Sequence, residues 1–181
     1  MVERGKCSEK IADPESILTS EIVESLLESG KETLLLDGHL APTLFLHLEH
    51  GEKLATDLSL PCIQEEKQAY FKFQGKSIRY SGHALKEAIL LAETWFVMAD
   101  KQDELTIPPS QHPNRQEAIT LTGRNAQNNR SVFAIRPFRR DDHNKPIFGE
   151  LVLNQFDGMP DPNYYATGLL DHLFVPGNNT S

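Results

Sequence analysis

Leu18, Ile22 and Leu26 recur every four residues with Val23 and Leu27 beside them, a spacing that draws one apolar stripe along a helix. Asp13 offers a capping side chain, Pro14 has no N–H to leave unpaired, and Gly30 supplies a stop, so the helix is predicted over 13–30. Its other side carries Glu15, Glu21, Glu24 and Glu28, the composition of a solvated face. The short apolar run TLLLDGH ends at Asp37 and Gly38 and reads as a strand. Leu44, Leu46 and Leu48 then alternate with Phe45, His47 and Glu49, and His50, Gly51 and Glu52 make a turn into a second alternating run closed by Pro61. This predicts a β-hairpin with His47 on its more polar face.

Residues 63–82 fit either a helix with an acidic first turn or a hairpin about Gln74 and Gly75. The helix is preferred because Ile63, Tyr70, Phe71 and Ile78 fall near one side. Residues 88–98 form a long apolar run interrupted only by Glu93 and Thr94, which predicts a central strand. Pro108, Pro109 and Pro113 stiffen a loop over 101–114. Three β-like runs follow, at 117–124, 131–139 and 148–156, separated by polar loops, and then a short helix near 164–173. The order predicts an α+β fold: a largely antiparallel sheet of about five to seven strands with two or three helices packed on one face. Residues 13–175 make a single domain, with a disordered segment at 1–12 and a flexible tail at 176–181.

Composition narrows the function classes. A hydrophobic content of 39% and a charged content of 24% in 181 residues suit one ordinary core and exclude a disordered chain. A formal charge of -8 opposes non-specific binding to nucleic-acid backbones and to anionic lipid. No run approaches the roughly 18 apolar residues of a membrane helix, and MVERGKCSEK lacks the apolar core of a secretion signal, so a cytoplasmic location is expected. Cys7 and Cys62, without a CxxC pattern, are expected to stay reduced. One segment reverses the overall sign: seven basic residues (Arg115, Arg124, Arg130, Arg136, Arg139, Arg140, Lys145) against Glu117, Asp141 and Asp142 make it +4.

Candidate chemistry lies in the same region. Glu93 shares a strand face with Ile89, Leu91, Trp95 and Val97, and a carboxylate among apolar neighbours requires a cation or donor. Arg115 and Arg136 are the candidates, in a pair that either fixes strand register or lines a pocket. His112 sits between prolines, close to Arg115 and Glu117, where a loop can present a base or a ligand. Asp141, Asp142 and His143 are metal-ligating types, but their place beside Asn144 is that of a turn. His39, His47 and His50 are near in sequence without a geometry that makes them converge. With no HExxH, no GxSxG and no Gly-rich phosphate loop, neither a metal nor a cofactor is predicted.

The segments AETW, PSQHPNRQEAI and AIRPFRRD resemble a family of small uncharacterised bacterial proteins that share E-A-W, P-S-x-x-P-x-R-x-E-A and P-F-x-R-D segments. Thr94 stands where that pattern has alanine, and the likeness covers about a third of the chain. It implies a shared fold and a shared importance of these positions, and no reaction.

Three functional readings follow. The favoured one is a non-catalytic binding or interaction module that uses Glu93, Trp95, His112, Arg115, Glu117, Arg136, Arg139 and Arg140. Its partner would be an acidic protein or an anionic small ligand, and a homodimer is left open. The second is a metal-assisted hydrolase built on Glu93, His112 and Glu117, with Asp141, Asp142 and His143 in reserve. The third is a nucleic-acid binder acting through Arg124, Arg130, Arg136, Arg139 and Arg140, which the net charge disfavours.

Overall fold

Gly30 does not stop the first helix. A computed structural model describes residues 16–97, 109–157 and 168–174. In it α1 (Ser20–Asp37) runs on to Gly38, which takes the left-handed conformation (φ 76°) and donates its N–H to Leu34 O. Gly30 is buried within the helix, where a Cβ would stand 3.3 Å from side-chain atoms of Leu40 and Leu91. Its role is close approach of the helix to the sheet. The TLLLDGH run is therefore the last turns of α1 and not a strand. The helix starts at Thr19, whose Oγ1 accepts from Ile22 N; the expected cap at Asp13 and Pro14 lies outside the described residues, as do 1–12 and 176–181.

The hairpin forms as expected from β1 (Thr43–Leu48) and β2 (Lys53–Asp57), and 63–82 resolves as a helix, α2 (Gln64–Tyr80). β3 (Leu85–Phe96), β4 (Gln116–Asn125) and β5 (Arg130–Arg140) make an antiparallel meander. The run expected as one strand over 148–156 is two. β6 (Pro146–Phe148) pairs with residues 138–140 of β5 and β7 (Val152–Asp157) with residues 130–135, while Gly149 N donates to Pro137 O at the break. A short α3 (Gly168–Phe174) follows. The sheet has seven strands, all antiparallel, in the order β2-β1-β3-β4-β5, with β6 and β7 both on β5.

Helices cover both faces of this sheet, not one. Val23, Leu27 and Leu34 of α1 pack on Ile89, Leu91, Ile119, Leu121 and Val132. On the opposite face Phe71 of α2 and Leu169, Leu170 and Leu173 of α3 pack on Leu44, Leu46, Ala88 and Leu90. The reason is visible in β3, where residues 88–92 are buried without alternation because neighbours of both parities need cover. No described helix is long and apolar enough to cross a membrane.

Candidate functional site

Register brings the three segments singled out in the sequence to one end of the sheet. Trp95 lies opposite Glu117, and Glu117 opposite Phe138, so these residues share the α1 face with Glu93 and Arg140. Arg140 is the centre of the arrangement. Its Nη2 donates to Glu93 Oε1 at 3.0 Å, its Nε to Glu117 Oε1 at 3.2 Å, and its Nη1 to Gly38 O at 3.3 Å. Leu40 N donates to the second oxygen of Glu93 at 3.1 Å, which ties the connection after α1 to the same carboxylate. Glu93, Glu117 and Arg140 are each about four-fifths buried, with side-chain exposures of 23%, 19% and 19%. Arg115 lies outside this knot, its guanidinium 5.0 Å from the centre of the Trp95 ring. Two carboxylates and two guanidiniums make the site neutral in sum.

A pocket of about 250 Å³ opens beside the knot, lined by Leu40, Pro42, Glu93, Thr94, Trp95 and Glu117. Trp95, the chain's one tryptophan, is 44% exposed at its rim. The side chains offer an aromatic plane and two short aliphatic walls, with carboxylate oxygens beside them.

The remaining candidates are dispersed. Glu93 pairs with Arg140, not with Arg115 or Arg136. Arg136 instead reaches across to α1 and donates to Glu28 at 2.8 Å, and Glu28, held also by Lys31, is drawn below the usual carboxylate range by Lys31 first and Arg136 second. Arg139 is exposed on the opposite parity of β5. Arg124 donates to Asp171 of α3, Ser131 and Asn129. Much of the basic segment is thus neutralised within the molecule, because strand alternation points Arg136 and Arg140 inward under α1.

His112 closes its own turn. Its Nδ1 accepts from Asn114 N at 3.1 Å and its carbonyl from Arg115 N at 3.2 Å, and no hydrogen bond joins it to Glu93 or Glu117. Asp141 Oδ1 accepts from His143 N and Lys145 N, with Asn144 at φ 63°, so this triplet shapes a turn. Among the described residues no three His, Cys, Asp or Glu side chains gather as metal ligands.

At the other end of the same face lies a polar cluster that sequence reasoning missed. Glu87 has no solvent exposure and accepts four hydrogen bonds: from Ser16 Oγ at 2.6 Å, Ile17 N at 2.8 Å, Asn125 Nδ2 at 2.7 Å and His47 Nδ1 at 3.0 Å. Burial alone would raise its pKa, but the donors together, His47 foremost, outweigh burial and hold it below the usual value. His47 is fully buried, and its Nε2 has no hydrogen-bond partner among the described residues. The expected polar face of β1 is in fact the face that α1 covers. The available signal was parity: Glu87 shares its strand face with Ile89 and Leu91.

Comparison with protein-family models, curated proteins and solved structures finds no match.

Proposed function

We propose that this protein is a non-catalytic interaction module that seats one side chain of a protein partner in the pocket beside Trp95. The observation that carries the reading is the convergence of Glu93, Glu117 and Arg140, from three separate strands, behind a half-exposed tryptophan and a pocket of about 250 Å³. That volume is below the roughly 300–1,000 Å³ that encloses a small ligand, and suits a single anchoring side chain. Tryptophan and arginine are the residue types that dominate binding energy at interfaces, and here Arg115 lies over the Trp95 ring.

The site is polar at its rim and neutral in sum, so shape and hydrogen bonding, more than net charge, would select the partner. The Glu93 and Glu117 oxygens that face Arg140 are already engaged, which argues against their use as a hydrolytic pair. Selection of a random peptide library on the intact chain, with Trp95→Ala as the counter-target, tests the reading. Enrichment of peptides that share one anchor residue and ignore Trp95→Ala is expected. Enrichment of nothing, or of peptides that bind both proteins equally, would overturn it.

A further inference from the structure

The edge strand β2 matches a second copy of itself. Leu58 N donates to Pro42 O and Leu48 N to Glu52 O, so the even-numbered residues of β2 face β1 with their backbone groups. The N–H and C=O of Lys53, Ala55 and Asp57 therefore point away from the sheet, and all five residues of the strand are exposed. Nothing covers this edge among the described residues, since β2 ends the strand order.

An antiparallel pairing centred on Ala55 brings Ala55 opposite the partner's Ala55, and Lys53 opposite the partner's Asp57. Each of these is a pair in which both residues exchange N–H···O bonds, because only the odd-numbered residues point outward. The charges match as well. Lys53 and Asp57 lie on one face of β2, with Phe45 and Thr43, so an ammonium and a carboxylate would meet at each end of the contact. The small methyl of Ala55 at the centre leaves room for two strands to approach. An apolar groove of about 190 Å³, lined by Ile22, Leu26, Phe45 and Leu54 among others, runs along the same edge, and Leu54 is 44% exposed.

We infer that β2 is a homodimer edge: two copies pair their β2 strands about a two-fold axis through Ala55 and continue one sheet across both subunits. A lysine on a short edge strand is also a way of preventing such pairing, so the charge pattern must be tested by reversal. Lys53→Asp opposes two aspartates, and Asp57→Lys opposes two lysines. Mixed with each other, these two variants oppose Asp to Lys at both ends again.

The experiment is sedimentation velocity on the full chain. The wild type is expected at twice the mass of one chain, each single variant at the mass of one chain, and the equimolar mixture of the two at twice that mass. Ala55→Pro provides a second route, because it removes a solvent-facing N–H without touching the β1–β2 bonds, and it should also give the single-chain mass with an unchanged melting temperature. A monomeric wild type overturns the inference. So does an Ala55→Pro dimer, or a mixture of the charge variants that stays monomeric.

Discussion

Replacing Glu87 by glutamine changes one atom, and the structure gives the consequence. Oε1 accepts from Ser16 and Asn125, and Oε2 from Ile17 N and His47. A glutamine must place its NH₂ at one of these positions. At the first it meets Asn125 Nδ2, which cannot be exchanged for its oxygen, because Asn125 Oδ1 already accepts from Gln127 N and Asn128 N. At the second it meets the backbone N–H of Ile17, which is always a donor. Either way at least one buried donor faces a donor, in a place with no solvent exposure. Leaving a buried donor unsatisfied costs about 1–3 kcal/mol, and loss of the carboxylate weakens the remaining bonds, so the total should be ~3–5 kcal/mol. That is a large share of the roughly 5–15 kcal/mol that holds a domain of this kind together. Urea denaturation followed by circular dichroism measures it as a lowered midpoint at an unchanged slope. A loss under ~1 kcal/mol would refute the account of the cluster.

The same carboxylate predicts a pH dependence. Because its folded pKa is held below the usual 4.5, its contribution is complete above that value and disappears as pH falls through the lower folded one. The stability gap between wild type and Glu87→Gln should therefore shrink below pH 4.5, and a gap that is constant from pH 6 to pH 3 would contradict it. Arg140→Gln should cost about 1–3 kcal/mol by leaving Glu93 and Glu117 without their shared cation, whereas Arg139→Gln should stay within roughly 0.5 kcal/mol of wild type; equal midpoints for the two would contradict their assigned positions. Gly75→Ala should cost about 3 kcal/mol or more, since a Cβ there would stand 2.1 Å from the backbone oxygen of Leu173 and neither helix can yield easily. Gly123→Ala should cost less, because its nearest obstacle is the movable end of Leu18; a thermal melt of the two variants ranks them.

Periodicity carried the strand meander and the first hairpin, because those runs alternate or stay apolar over many residues. It failed at Gly30 because a glycine inside a helix looks the same in sequence whether it ends the helix or lets a sheet approach it. The distinction lies in Leu40, Leu91 and Ile119, which are distant in sequence. The prediction of one helical layer fails for a related reason: the apolar run over 88–92 does not alternate, a pattern that fits a sheet covered on both faces as well as a central strand. At the candidate site, the need of Glu93 for a cation was legible from its apolar face, but the partner was not. The strand predicted over 131–139 ends one residue short of Arg140, whose even numbering places it with Arg136 and Phe138 on the α1 face. Glu87 and His47 were hidden because strand β3 begins three residues before its apolar run, at Leu85.

Trp95 is the one tryptophan of the chain, so its emission reports on the pocket without a label. The most direct measurement is a fluorescence titration of the intact protein with a peptide selected against it. A saturable change in the emission of Trp95, weakened at least about tenfold by Glu117→Gln at a temperature where that variant is fully folded, is the predicted result. A peptide that binds by calorimetry while the emission of Trp95 stays unchanged would show that the partner is held elsewhere, and would contradict the assignment of this pocket.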